Sequence, residues 1–172
     1  KDLMDSGTVA DFNIKAIVLS HSPEARKNFY TAFKSIKEAS KKYPAEREFL
    51  VNNHKRNMFI RNLLWSLEGQ NNLVLFDLVE KHGKILKELI EDKAQDRKVF
   101  YVHGGVDTDE REKIRELTEK ADNAIIVASY GTFSTGINIR NLHNIIFASP
   151  SKSRIRNLQS IGRGLRLKDD NT

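Results

Sequence analysis

The 172-residue sequence contains no cysteine, which excludes disulfides and thiolate metal sites and fits a reducing compartment. Its five histidines are scattered without a ligand spacing, so no metal site is expected. No apolar run approaches the ~20 residues needed to cross a bilayer, and no signal-peptide pattern opens the chain. A soluble, intracellular protein with no membrane partner is expected. Internal repeats and low-complexity tracts are absent. Also absent is a G-x-x-x-x-G-K-[ST] phosphate loop, since Gly83 and Lys84 are followed by Ile85, and there is no D-E-x-D or D-E-x-H box. A chain that binds and hydrolyses nucleotide by itself needs such parts.

What is present is a basic balance. Lys and Arg number 29 against 23 Asp and Glu, a formal charge of +6 and a pI near 9.5, which favours a polyanionic partner. The length suits one domain with a single substantial core. Beginning at Lys1 and ending on the polar KDDNT, the sequence reads as a piece of a longer chain.

The polar opening KDLMDSGTVADF reads as a linker over residues 1–13, and NIKAIVLSH, with Ile14 to Leu19 at its centre, as a strand leading into a sheet. Ser22 and Pro23 form an N-cap and first helical position. Phe29, Phe33, Ile36 and Ser40 follow at helical spacing, with Lys34, Lys37, Lys41 and Lys42 on the other side. Those lysines serve either as a solvated face or as part of a nucleic-acid track. The Tyr43-Pro44 pair is expected to break this helix, and a second to run from about Ala45 to Leu67 and stop at Gly69.

From Asn71 onward short apolar runs alternate with amphipathic helices. LVLFD (73–77), VFYV (99–102), AIIVAS (124–129) and NIIFAS (144–149) read as strands covered on both faces. Helices are expected near 79–92, 108–121 and 152–163, the second opened by Asp107 and Glu110 as a capping box. This alternation predicts an α/β fold with a parallel sheet and right-handed crossovers. Phe76 and Trp65 read as core rather than base-stacking platforms, and His54, His82 and His143 as structural or surface residues.

In such a sheet ligands bind beyond the carboxyl ends of the strands. Those ends carry Asp77, HGG (103–105), SYGTFSTGIN (129–138) and SPSKSR (149–154). The third segment can offer backbone N–H and hydroxyl donors to phosphate oxygens; the same composition also serves a plain turn. Lys152, Arg154 and Arg156 fall near these ends and suit either nucleotide or nucleic acid. In LQSIGRGLRL (158–167), Arg156, Gln159, Arg163 and Arg166 fall within one helical arc, opposite Ile155, Leu158, Ile161 and Leu165. Glycine in a helix costs about 1 kcal/mol relative to alanine, so Gly162 and Gly164 imply close approach or a helix end. The arc reads as a solvated basic face or as a phosphate-binding one, since guanidinium forks match phosphate geometry.

In order, LVLFD, YVHGG, IIVASYGTFSTGIN and QSIGRGLR resemble motifs IV, IVa, V and VI of the second RecA-like domain of superfamily 2 helicases. The last, Q-x-x-G-R-x-x-R, is matched at Gln159, Gly162, Arg163 and Arg166. The resemblance covers the last hundred or so residues closely and extends, among recombination helicases of phages, over the whole chain. It implies a RecA-like parallel sheet sandwiched by helices over residues 14–172, with an opening strand and helical region at 14–70 and the motifs at 71–172. It implies that Arg163 and Arg166 face the ATP triphosphate across a cleft, Arg166 as the finger toward the γ-phosphate, and that Gln159 orients the arginines or the attacking water. It also implies that Gly136 and Gly162 lie with the nucleotide. Asn138 stands where many relatives carry an aspartate that contacts the ribose, which puts a charge-dependent role there in doubt. By the same resemblance His103, Gly104, Ser129 and Thr132 are expected to touch the nucleic-acid backbone.

The same resemblance implies ATP with Mg2+, held mainly by an N-terminal RecA-like domain of the same protein, so the isolated chain is expected to be inactive. The substrates it implies are branched or single-stranded DNA, with unwinding and branch migration of forks, Holliday junctions and R-loops in recombination and replication repair. A phage-encoded protein of this kind is expected in the host cell cytoplasm. Two alternatives stay open on the motifs alone: a standalone nucleic-acid-binding module with a motor-like fold, and half of an RNA helicase.

Overall fold

The computed structural model of the chain describes residues 13–93, 96–136 and 139–164. Three helices come first, α1 (Pro23–Lys34), α2 (Ala39–Val51) and α3 (His54–Ser66). The sheet region then alternates β1 (Asn72–Phe76), a wide π-helical turn at Val79–Gly83 running into α4 (Lys84–Glu91), β2 (Val99–Val102), α5 (Thr108–Glu119), β3 (Ile125–Ser129), α6 (Tyr130–Gly136), β4 (Asn144–Phe147) and α7 (Arg154–Gly164). The strands form one sheet in the order β2-β3-β1-β4 with every pairing parallel. This is the expected α/β sandwich of RecA-like type.

Period-two alternation builds a core on each face. Leu73 and Leu75 of β1 and Ile126 and Ala128 of β3 point to one side, against Ile114 of α5 and Phe133 of α6. Val74, Phe76, Ile125 and Val127 point to the other, against Ile60 and Leu64 of α3 and Leu86 and Ile90 of α4. The two central strands are buried along their whole length, whereas β2 and β4, at the edges, are half-buried. Phe76 is therefore core, as expected. Trp65 is half-buried instead, its ring covered by Lys93 and Arg97, whose cations lie 5.4 and 5.9 Å from the ring centroid.

Local signals explain the boundaries that match. The Ser22 hydroxyl accepts from the Ala25 N–H behind Pro23, and the Asp107 carboxylate accepts from the Glu110 N–H at the head of α5. Gly69, at φ +75°, takes the left-handed conformation in the turn that follows α3. Gly83 lets the π-helical turn close onto the sheet, because a Cβ there would stand 2.5 Å from the Phe76 ring.

Four expectations are corrected. Residues 13–22 form no strand: Ile14 and Val18 are 77% and 89% exposed, and neither edge of the sheet pairs with them. A strand needs a neighbour to take its hydrogen bonds, and an apolar run alone does not supply one. Pro44 does not break the helix but sits inside α2, where it removes a single backbone donor. The break falls at Asn52 and Asn53, and the Asn53 side chain caps α3 by accepting from the Arg56 N–H. Finally, the expected loop after β3 is the helix α6, started by the Ser129 hydroxyl, which accepts from the Thr132 N–H at 3.3 Å.

Candidate functional site

Because all four strands run parallel, their carboxyl ends share one edge, and Phe76 is in register with Ser129 and Leu75 with Phe147. The residues that follow the strands are thereby gathered along this edge. At the end of β2, the His103 ring accepts the Gly105 N–H on Nδ1 at 3.1 Å and leans on Tyr101, 5.1 Å between centroids. The exposed Gly104 gives its carbonyl to the Arg111 guanidinium at 3.1 Å, and a Cβ at Gly104 would meet no atom within 4 Å. Beside it, Ser129 and Thr132 are brought together and turned inward, 9% and 4% exposed, with their hydroxyl oxygens 2.8 Å apart. Their hydroxyls are thus engaged with one another at the start of α6.

Helix α7 follows β4 and packs against α6. Gln159 and Gly162 are exposed on it, Arg163 falls within it, and Gly164 is its last residue. A Cβ at Gly162 would meet nothing within 4 Å, so no contact within the described chain requires glycine there. The expected apolar face is corrected: Leu158 is 56% exposed while Ser160 is fully buried. The helix therefore turns the Ser160 side toward the domain and leaves Gln159 outward. Gly136 ends α6; Asn138 and Arg166 lie outside the described residues. Among the described residues no group of three or more His, Cys, Asp or Glu is placed to hold a metal.

Beneath the β1 and β4 ends lies a buried polar chain that spacing did not reveal. The Asp77 N–H donates to Ser149 Oγ at 3.0 Å, Ser149 Oγ lies 2.8 Å from His82 Nδ1, and His82 Nε2 lies 3.2 Å from Asn57 Oδ1. Asn57 in turn donates through Nδ2 to the Val51 carbonyl at 2.8 Å. That last bond makes Oδ1 the acceptor, so His82 carries its proton on Nε2 and the Ser149 hydroxyl donates to Nδ1. Arg56 donates to the Ala148 carbonyl and Tyr130 to the Ser149 carbonyl, while Arg47 of α2 pairs with the Asp77 carboxylate. Lys152 lies 4.0 Å from the centroid of the Tyr43 ring, whose hydroxyl reaches the Pro150 carbonyl. The missed residues, Arg47, Arg56 and Tyr43, reach the edge from helices far away in sequence, which no local period records.

Burial, reinforced by the nearby Arg56 charge, pushes the His82 pKa down from 6.5 to about 3. Burial likewise lowers Arg56 from its ordinary value, with Tyr130 acting in the opposite sense. His82 stays neutral in the folded chain, while the unfolded chain takes up its proton as the pH falls below 6.5. Stability contributed by neutral His82 is therefore complete above that pH and is lost on acidification toward 3. Urea unfolding at pH 7 and pH 5 is expected to differ by about 2 kcal/mol through this group. The difference should shrink in His82→Gln, and equal stability of the wild-type chain at the two pH values would contradict the assignment.

Comparison with known proteins identifies the family of this fold. The profile of the helicase conserved C-terminal domain matches residues 54–168. The ATP-dependent DNA helicase UvsW of Enterobacteria phage T4 is 40% identical over 166 residues, which cover 95% of this chain and 31% of that protein. The crystal structure of T4 UvsW superposes with a TM-score of 0.64 at 38% identity, covering 79% of this chain and 26% of that one. The chain thus spans about a third of the length of the curated relative it matches. A four-stranded parallel sheet of RecA-like type, together with a profile match over 54–168, shows that the chain belongs to the helicase conserved C-terminal domain family.

Proposed function

We propose that the chain is the second motor domain of an ATP-dependent DNA helicase and works only when joined to a first RecA-like domain that carries the phosphate loop. The observation that carries this reading is the set Gln159, Gly162, Arg163 and Arg166 on and after α7, in a chain without a phosphate loop. Arginine donors aimed at the charge that develops on a phosphoryl group act across an interface on nucleotide held elsewhere. In this role Arg166 is the finger, Arg163 binds a second phosphate oxygen, and Gln159 orients them or the attacking water. Gly136, Asn138 and Gly162 line the nucleotide. ATP arrives with Mg2+, which supplies charge neutralisation at the phosphates; the first domain holds it, and no residue described here is assigned to it.

DNA runs along the sheet edge. His103 and Gly104 face it from the end of β2, with Ser129 and Thr132 beside them at the start of α6. ATP-driven opening and closing of the two domains would ratchet the motor along the strand. Forks, Holliday junctions and R-loops are the proposed substrates, in recombination and replication repair within the host cytoplasm; the likeness to an ATP-dependent DNA helicase of a phage supports the DNA part of this reading.

Unwinding of matched DNA and RNA forks by the joined protein tests the choice of substrate. Faster unwinding of the DNA fork is expected, and a preference for the RNA fork would move the assignment to an RNA helicase.

A further inference from the structure

One short stretch of the chain is strongly basic. Residues 13–42 carry seven basic and two acidic side chains, a net +5. The same stretch is rich in aromatic rings that the two cores do not use. Helix α1 carries Phe29, Tyr30 and Phe33 yet buries no residue completely, and none of the three belongs to either core cluster.

These rings line a cavity instead. An open-sided space of about 290 Å³ lies between the segment before α1, α1 itself and α2. Its walls are aromatic: Phe29 and Phe49 stand 4.4 Å apart between centroids, His21 and Phe49 5.0 Å, and Phe29 and Tyr30 5.6 Å, with Tyr30 53% exposed. Arg26 and Glu46 also line it, both exposed, and among the described residues neither side chain has a hydrogen bond or ion pair. The cavity thus offers flat apolar faces together with a guanidinium that donates and a carboxylate that accepts. On its other side α2 is tied to the motif-bearing edge by the Arg47–Asp77 ion pair and by the bond from Tyr43 to Pro150.

We propose that this α1–α2 cavity holds one unpaired base of a DNA strand. The base stacks on Tyr30 and Phe29, its polar edge meets Arg26 and Glu46, and the flanking phosphates lie on the lysines of the same stretch. A nucleobase is planar, amphipathic and attached to a polyanion, which are the three properties that the cavity and its surround match; aromatic platforms in a basic groove are the general means of holding single strands. The inference rests on the DNA-motor reading and adds to it a contact outside the helicase motifs, in a region contributed by the helices that precede the sheet.

The test is fluorescence titration of a single-stranded oligonucleotide carrying one 2-aminopurine with the protein. The base should lose emission on binding, and Tyr30→Ala and Arg26→Ala should each weaken binding about tenfold. Tyr30→Phe, which keeps the ring, should retain both affinity and quenching. Lys27→Ala should instead lower the salt dependence of binding, by a slope of about 0.7. Binding without quenching, or full affinity in both alanine variants, would overturn the base pocket and leave the DNA reading standing. No binding of the oligonucleotide by the wild-type protein would overturn both.

Discussion

In the chain joined to a phosphate-loop domain, Arg166→Ala is expected to slow DNA-stimulated ATP turnover by about 10³-fold or more, within the range of about 10³ to 10⁵ known for arginine fingers. The loss should fall on turnover, because the guanidinium stabilises charge that grows only in the transition state. Affinity for DNA should be largely kept, since the finger faces nucleotide. Arg166→Lys should not rescue, because an ammonium lacks the planar fork that spans two phosphate oxygens. Wild-type turnover in Arg166→Ala would remove the residue from the catalytic set. Lost DNA affinity with intact turnover would instead favour a DNA-facing surface.

The largest expected effect on stability lies at the opposite end of the sheet, at Asn71. It is fully buried, and its Nδ2 reaches the carbonyls of Thr118 at 3.0 Å, Ala121 at 2.5 Å and Asn141 at 2.9 Å. Its Oδ1 accepts the Ala124 N–H at 2.8 Å, and its backbone N–H donates to His143 Nδ1 at 3.1 Å. One side chain thus joins the end of α5, the approach to β3 and the approach to β4. Asn71→Ala would leave buried groups without partners at about 1–3 kcal/mol each, so a loss of about 4 kcal/mol is expected, a large part of a domain's stability. Asn71→Asp keeps the shape but turns the donor into an acceptor facing three carbonyls, and should be as damaging. Urea unfolding measures both, and near-wild-type stability of Asn71→Asp would show that shape rather than donation matters there.

How much was legible follows from what each signal depends on. The four strands were readable because a strand buried on both faces is apolar at every position, as in Leu73 to Phe76 and Ile125 to Ala128. The helix starts at Ser22 and Asp107 were readable because capping is local chemistry between residues three apart. The run from Ile14 to Leu19 misled because it has the composition of a strand without a neighbour among the described residues to pair with. Pro44 misled because it removes one backbone donor from α2 without ending the helix. In α7, period gave an apolar arc but not what covers it, and the structure turns Ser160 inward and Leu158 outward.

The site divides in the same way. That His103, Gly104, Ser129 and Thr132 gather at one edge follows from parallel strands and was readable in advance. That Ser129 and Thr132 spend their hydroxyls on each other depends on the short helix α6, whose Ser-, Thr- and Gly-rich sequence has little helix propensity of its own. The chain from Asp77 through Ser149 and His82 to Asn57 joins four elements distant in sequence, so only the folded chain displays it.

The account's central claim is that this chain is half of a motor, and ATP hydrolysis by the chain alone and joined to a phosphate-loop domain, with and without forked DNA, tests it most directly. The account predicts no appreciable hydrolysis by the chain alone and DNA-stimulated hydrolysis in the joined form. Robust hydrolysis by the chain alone would contradict it, as would an inactive joined form in which the partner is folded and binds ATP while the chain binds DNA.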